Sequence, residues 1–296
     1  MKINWYPGHM AKTERMMEAN IKQVDAIVEL LDARIPRASR NPQLDELVGG
    51  RPRLIALNRS DLADGEATKQ WVDYYKTLGS QVIVLDCKSG QGTNQFSGAV
   101  RRLLADKIAA RTARGQVGRP VRIMIVGVPN VGKSSLINRV AGGIRAKVEN
   151  RPGVTRGKQW IRVGDGVELL DTPGILWPKI EDEQTGLLLA FTGAIGSNAL
   201  DEETLAYHLM IMLKERYPQA LLARYKLDVS GIDDVDLLEA LARKRGMLAS
   251  GGIPDLERAV NLIITEFRNG LLGRMTLEDV GCGDFDAPCE DKEDAI

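Results

Sequence analysis

The chain has 296 residues, enough for one large or two modest domains with apolar cores of their own, which excludes a small stapled scaffold. Lys plus Arg and Asp plus Glu each total 40, so no net charge draws a polyanion and any such partner must be met by local groups. Three cysteines, Cys87, Cys282 and Cys289, form no CxxC pair; they indicate neither a disulfide framework nor a zinc site and fit a reducing cytosol.

Taken in chain order, the segment Met1 to Met17 is interrupted by Lys2, His9, Lys12, Glu14 and Arg15, so it lacks the apolar core of a signal peptide. No later stretch is long and apolar enough to span a bilayer, and a soluble, cytoplasmic protein is expected. Short runs rich in Val, Ile and Leu follow at Ala26 to Leu31, Leu54 to Leu57, Val82 to Leu85, Ile123 to Val126 and Val167 to Leu170; they predict buried strands. Amphipathic stretches such as Ala67 to Leu78 and Asn94 to Ala109 lie between them, and this alternation predicts a parallel α/β sheet. From Arg101 to Arg122 there are seven Lys or Arg against the single acid Asp106, and Gly115, Gly118 and Pro120 break the chain. A helix end followed by a basic linker is expected there.

After about Lys179 the strand pattern stops. Asp201 to Tyr217, Val235 to Leu248 and Asp255 to Leu272 have helical spacing, with Asp201 and Asp255 placed to cap first turns. Thr276 to Ile296 holds eight acids against the single base Lys292 and too little apolar surface to offset its ordering entropy. The expected division is therefore an α/β domain over 1–178, an all-helical domain over 179–277 and a disordered acidic tail over 278–296.

Three loops carry the chemistry. Gly127-Val-Pro-Asn-Val-Gly-Lys-Ser134 matches the P-loop pattern and stands between a predicted strand and a helix-compatible run, which is the context the pattern requires. Its glycines let backbone N–H groups wrap phosphate oxygens, so Asn130, Val131, Gly132, Lys133, Ser134 and Ser135 are expected at the phosphates. Lys133 supplies the charge and Ser134 a ligand for Mg²⁺. Asp171-Thr-Pro-Gly174 closes another strand, placing a carboxylate at the metal and the Gly174 N–H at the γ phosphate. In the turn-rich loop Arg151 to Arg156, Thr155 is placed to complete the Mg²⁺ shell. Either loop, read alone, has an ordinary surface turn as its alternative.

The base is set by Asn58-Arg59-Ser60-Asp61. The Asp61 carboxylate can accept hydrogen bonds from guanine N1–H and N2–H₂, a donor pair adenine lacks, while Asn58 is expected at the other edge of the base. The bland reading is a helix cap. Its company argues otherwise, since Asp86-Cys87-Lys88-Ser89-Gly90 ends another strand and is suited to cover the far side of the base, with Lys88 in contact. A GTP or GDP site is expected. A P-loop ATPase or small-molecule kinase is the competing class, and the Asn58 to Asp61 loop argues against it.

These residues, with Trp5-Tyr-Pro-Gly-His9-Met-Ala-Lys12, Asp32-Ala-Arg-Ile-Pro36, Pro152-Gly-Val-Thr-Arg156 and Phe267-Arg-Asn-Gly-Leu-Leu-Gly-Arg274, resemble the circularly permuted ribosome-assembly GTPases over nearly the whole chain. The resemblance implies a P-loop GTPase domain with its base loops ahead of its P-loop, followed by the smaller helical domain. It implies the large ribosomal subunit as partner, met through ribosomal RNA and proteins, with no membrane and no DNA. It also implies that His9 acts in hydrolysis, with a nucleic-acid contact or a structural hydrogen bond as the alternative, and that Asn130 is linked to a bound K⁺ ion, with a loop-shaping role as the alternative. Ras-like proteins carry a water-orienting Gln after DxxG, but here that position is Ile175. Arg59 stands where the family has Lys, and Asp86 and Cys87 replace its commoner Ser and Ala. An RNA-binding module for which GTP is only a conformational ligand is the alternative function. The basic groups available to RNA are Arg101, Arg102, Lys107, Arg111, Arg114, Arg243, Lys244 and Arg245.

Overall fold

The structure is a computed structural model that describes residues 19–42, 44–142, 160–164, 166–170, 182–195 and 201–281. His9, Thr155, Asp171 and Gly174 lie outside the described residues. The described part divides into two compact units, one comprising 19–170 with 276–281 and the other 182–275.

The first unit is built on a six-stranded sheet, β1 (Ala26–Asp32), β2 (Arg53–Asn58), β3 (Gln81–Val84), β4 (Val121–Val126), β5 (Trp160–Val163) and β6 (Val167–Leu170), in the order β3-β2-β1-β4-β6-β5. All neighbours are parallel except β5, which pairs antiparallel with β6 at the edge. The five parallel strands are the five expected apolar runs. β1 is buried at every position, as a central parallel strand covered on both faces must be. In register, Asp32 lies beside Asn58, so the two motif-bearing strand ends come to the same edge of the sheet, where ligands bind in open α/β folds.

Helices α1 (Leu44–Val48), α2 (Gly65–Thr77), α3 (Phe96–Leu103), α4 (Ala105–Ala113) and α5 (Lys133–Val140) accompany the sheet, and α4 buries none of its residues. The α2 start is fixed by Asp64, whose carboxylate accepts from the Ala67 N–H. Its apolar stripe seats Trp71 and Tyr75, both buried, against Leu31, Ile55, Leu57 and Ala63. The ring edge of Tyr74 stands on Trp71 at 5.5 Å and 88°, a favoured aromatic geometry. The expected single helix over Asn94 to Ala109 is instead two. The break falls at Leu104, whose φ/ψ of −107°/18° leaves the helical region, and the second piece runs on to Ala113. The sequence reading missed β5 and α1, each only four or five residues long.

Two of the linker bases prove structural. Lys107 and Arg111 on α4 both reach Asp25, at 2.7 Å each, and the Arg122 N–H donates to the same carboxylate at 2.9 Å. Burial raises the Asp25 pKa, but these three partners outweigh it and hold the carboxyl below its usual range. The pairing fastens α4 to the start of β1.

The second unit is all helical: α6 (Glu183–Phe191), α7 (Glu202–Arg216), α8 (Pro218–Tyr225), α9 (Leu237–Lys244) and α10 (Leu256–Arg268). Asp201 and Asp255 cap α7 and α10 as expected, and Pro218 occupies the first position of α8, where its missing N–H costs nothing. α9 ends at Lys244 rather than Leu248, which instead forms an isolated bridge with Pro254. Arg224 grips Glu266 with two hydrogen bonds of 2.8 and 2.6 Å, and the Tyr225 hydroxyl donates to the same carboxylate. Arg268 donates to the carbonyls of Ala190 and Phe191, placing a cation at the negative end of α6. His208 is half-buried with its ring against Tyr207.

The stretch from Glu278 departs from the expected free tail. Thr276 and Leu277 are buried, and Glu278 and Val280 pack on the first unit. Residues 282–296 lie outside the described residues.

Candidate functional site

The P-loop occupies the turn from β4 into α5, and its backbone explains its glycines. Gly127 has φ 157°, and a Cβ there would lie 2.4 Å from the Leu30 carbonyl oxygen. Gly132 has φ 107°, and a Cβ there would lie 2.3 Å from Asn58 Nδ2. Only glycine fits either position without displacing a neighbour. Asn130 adopts φ 59°, a left-handed conformation Asn tolerates better than most residues.

The loop leaves an open cavity of about 590 Å³ lined by Arg59, Pro129, Asn130, Gly132, Lys133, Ser134 and Ser135, within the range of roughly 300–1,000 Å³ usual for small-molecule sites. The first turn of α5 borders it, so the positive end of the helix dipole meets the cavity. Lys133 is buried, and its Nζ donates to the carbonyls of Gly127 and Val128 at 2.9 and 2.6 Å. Its ammonium is thus held at the cavity floor. Ser134 and Ser135 are exposed. Six of the seven lining residues fall within the P-loop pattern or directly follow it, and the seventh, Arg59, comes from the base loop.

The base loop and the covering loop are tied to the P-loop by one side chain. Asn58 Nδ2 donates to the Val131 carbonyl at 2.7 Å, while Asn58 Oδ1 accepts from the Cys87 N–H at 3.0 Å. Asn58 is buried, so its amide joins three loops end to end. The sequence reading placed Asn58 against the base; the structure puts its amide among backbone groups. Arg59 adds a second tie, its Nη2 donating to the Asn130 carbonyl at 2.6 Å and its Nε 3.6 Å from Asp32. At φ 61° Arg59 holds a conformation that costs a non-glycine residue about 1–3 kcal/mol. That the loop keeps it there follows from these contacts on both sides.

The Asp32 to Pro36 motif supports this arrangement from below. Asp32 accepts two hydrogen bonds from the Arg34 guanidinium, at 3.0 and 2.8 Å, and one from the Arg34 N–H. Burial raises the Asp32 pKa, but the charge and hydrogen bonds of Arg34, with Arg59 beyond, bring it below its usual range. Asp32 therefore stays ionised, with Arg59 Nε 3.6 Å from its carboxylate.

Asp86 and Cys87 gain a physical account. The Asp86 carboxylate accepts from the Lys88 and Ser89 N–H groups, an Asx turn that shapes the covering loop. Burial raises its pKa, and the Ser89 and Lys88 hydrogen bonds more than reverse this. Cys87 is buried, which with the Asp86 charge pushes its thiol up to about 12; it is an inert packing residue. Arg139 of α5 donates to the Lys88 carbonyl, so α5 and the covering loop are joined as well. Lys88 and Asp61 are exposed, and neither is among the residues lining the cavity.

Of the expected site residues, Asn58, Arg59, Asn130, Val131, Gly132, Lys133, Ser134 and Ser135 are brought together here. Among the described residues no group of three or more His, Cys, Asp or Glu could hold a metal ion. Ser134 is the one expected Mg²⁺ ligand that is described. No helix among the described residues is long and apolar enough to cross a membrane. Sequence reasoning missed the tying roles of Asn58 and Asp86, whose signals lie in contacts rather than residue type.

Comparison with known proteins finds relatives along almost the whole chain. Residues 122–225 match the family described as 50S ribosome-binding GTPase. The chain is 45% identical over 278 residues to ribosome biogenesis GTPase A of Bacillus cereus, covering 94% of each chain. It is likewise 45% identical over 280 residues to the protein of that name from Priestia megaterium, covering 94% of this chain and 97% of that one. The crystal structure of GNP-bound YlqF from T. maritima superposes with a TM-score of 0.63 at 30% identity, covering 90% of this chain and 98% of the other. Likeness over almost the full length of both partners, joined to a P-loop that follows its base loops, has one meaning: the chain belongs to the ribosome biogenesis GTPase A family and is a circularly permuted, GTP-hydrolysing P-loop enzyme.

Proposed function

We propose that the enzyme is an assembly factor for the large ribosomal subunit in the cytoplasm, binding GTP with Mg²⁺ and hydrolysing it to GDP and phosphate when seated on the ribosomal particle. The observation that carries the reading is the Asn58 clamp, which holds a guanine-type Asn58 to Asp61 loop and a P-loop cavity in one rigid frame. Asp61 would read guanine N1–H and N2–H₂, and Lys88 would cover the base. Lys133 and the first-turn N–H groups of α5 would hold the β and γ phosphates. Ser134, Thr155 and Asp171 would ligate Mg²⁺, which supplies charge neutralisation at the phosphates. Gly174 would meet the γ phosphate, and Asn130 is the residue suited to a K⁺ ion beside it.

Ile175 cannot orient a water molecule, so hydrolysis needs a group from elsewhere, and His9 is that group. Intrinsic turnover of an incomplete P-loop site is slow, which makes stimulation by the particle the expected behaviour. The names of the relatives support a ribosomal partner. On this chain Arg101, Arg102, Arg114, Arg243, Lys244 and Arg245 are the basic groups for ribosomal RNA. Lys107 and Arg111 are withdrawn from that set by Asp25. Arg243 is shared with Glu239 and Arg245 lies over the Tyr225 ring, so both have local partners as well.

Sedimentation with purified large subunits, GTP analogue against GDP, tests the reading. Co-sedimentation stronger with the analogue, and GTP turnover raised by the particle in the wild type but not in His9→Ala, are the expected results. Equal binding in both nucleotide states with no stimulation would leave GTP as a conformational ligand of an RNA-binding module.

A further inference from the structure

Beyond α10 the chain returns to the first unit as a strap, Thr276 to Val280, whose contacts converge on the frame of the base loop. The Thr276 hydroxyl donates to the Ala33 carbonyl at 3.2 Å and accepts from the Asp64 N–H at 3.2 Å. The Leu277 N–H donates to the Arg34 carbonyl at 2.8 Å. The Glu278 carboxylate accepts from the N–H groups of Arg37 and Ala38 at 2.8 and 3.0 Å, and its carbonyl accepts from Trp71 Nε1 at 3.2 Å. Val280 packs against the cluster of Leu31, Leu57 and Trp71.

The placement of Thr276 is particular. Ala33 follows Asp32, and its own N–H donates to the Asn58 carbonyl at 2.8 Å; Asp64 caps α2 three residues after Asp61. One hydroxyl therefore joins the two backbone segments that enclose the loop from Asn58 to Asp61. A hydroxyl can do this because it is donor and acceptor at once. Thr276 is 1% exposed, and removing its hydroxyl takes a partner from the buried Ala33 carbonyl and from the part-buried Asp64 N–H.

We propose that Thr276 is a positioning residue for guanine recognition, and that the strap makes the base-selective part of nucleotide affinity depend on the chain segment leaving the helical unit. The strap contacts described above fall on the segments around the Asn58 to Asp61 loop, so their effect is expected on the base and not on the phosphates. Any ligand of the helical unit that draws on this segment would loosen the hold on guanine while leaving the phosphate cradle in place. The proposal rests on the reading of Asp61 as the guanine-reading carboxylate.

The test uses the full chain and compares GDP with inosine diphosphate, which lacks the N2 amino group, by calorimetric titration. Thr276→Val keeps the shape and removes the hydroxyl, and Thr276→Ser keeps the hydroxyl. The Val variant should lower the GDP to inosine diphosphate affinity ratio about three- to tenfold, and the Ser variant should restore it. Glu278→Ala, at the half-exposed end of the strap, should move the ratio in the same direction, and it serves as the test should the Val variant fail to fold. An unchanged ratio, or GDP and inosine diphosphate weakened by the same factor, overturns the proposal. Asp61→Asn separates the two readings. If it leaves the ratio at the wild-type value, the base reading itself is wrong; if it lowers the ratio while the strap variants do not, only the strap proposal fails.

Discussion

Replacing Asn58 by Ala should destabilise the nucleotide-free protein, and by an amount that follows from the clamp. The amide serves two backbone groups, the Val131 carbonyl at 2.7 Å and the Cys87 N–H at 3.0 Å, in a site where the side chain is 3% exposed. Each buried group left without a partner costs about 1–3 kcal/mol. The space vacated by the amide is close to that of one water molecule, which could satisfy one of the two groups, so a loss of about 2–3 kcal/mol is expected. For a domain of this size that lowers the melting temperature by about 5–10 °C. Differential scanning calorimetry of the nucleotide-free protein measures it, with GDP titration alongside to follow the accompanying loss of affinity. A companion, Asn58→Asp, keeps the acceptor for Cys87 but sets a carboxylate against the Val131 carbonyl. Its deficit should shrink as the pH falls and the carboxyl regains a proton to donate. Should Asn58→Ala melt within about 1 °C of the wild type while its nucleotide affinity collapses, Asn58 would be a direct base contact and the clamp would carry no stability.

Lys133→Ala removes the charge at the cavity floor and should abolish GTP turnover, measured by phosphate release, with circular dichroism unchanged; wild-type turnover would move the phosphate site elsewhere. Asp61→Asn exchanges an acceptor for a donor at the base and should weaken GTP at least tenfold, the worth of one charged hydrogen bond of about 1.5–3 kcal/mol, while improving xanthosine triphosphate binding. Competition titrations decide it. Asp25 is held below its usual range by Lys107, Arg111 and the Arg122 N–H. Its contribution is thus complete above the ordinary Asp value near about 4 and is lost as the pH falls through the lower folded value. Asp25→Asn should therefore be less stable than the wild type at neutral pH and approach it in acid; parallel stability curves across that window would count against the α4 anchor.

The loops at the centre of the site were legible because each residue type has a chemical task that few others can perform. Gly127, Gly132, Lys133 and Ser134 announce a phosphate cradle in any strand-to-helix context, and the structure supplies that context at β4 and α5. The five parallel strands were legible from their continuous apolar runs. What escaped was whatever depends on distant partners or on too few residues. The nearest contact of the Asn58 amide in the P-loop is 73 residues away, and nothing in a strand-end Asn says whether its amide will face a ligand or two backbones. α6 was hidden because its sequence, Glu-Gln-Thr-Gly-Leu-Leu-Leu-Ala-Phe, runs apolar without a helical period and contains a glycine. The strap looked like tail because an acid-rich segment reads as solvated. Glu278 instead spends its charge on two backbone N–H groups. The helical unit accordingly ends at Met275, two residues before the expected edge at 277.

The strand order β3-β2-β1-β4-β6-β5 also dictates what the nascent chain can do as it leaves the ribosome. β1, β2 and β3 emerge first and can pair with one another, but β1 then presents a bare edge until β4 arrives more than sixty residues after β2 ends. Until that moment the Asn58 amide has no Val131 carbonyl to meet, so the Asn58 to Asp61 loop is made early yet is locked only by the arrival of the P-loop. Nucleotide binding thereby becomes a report that both halves have been translated and joined, and GTP in the cell can stabilise the newborn enzyme only after its sheet is closed across β1 and β4.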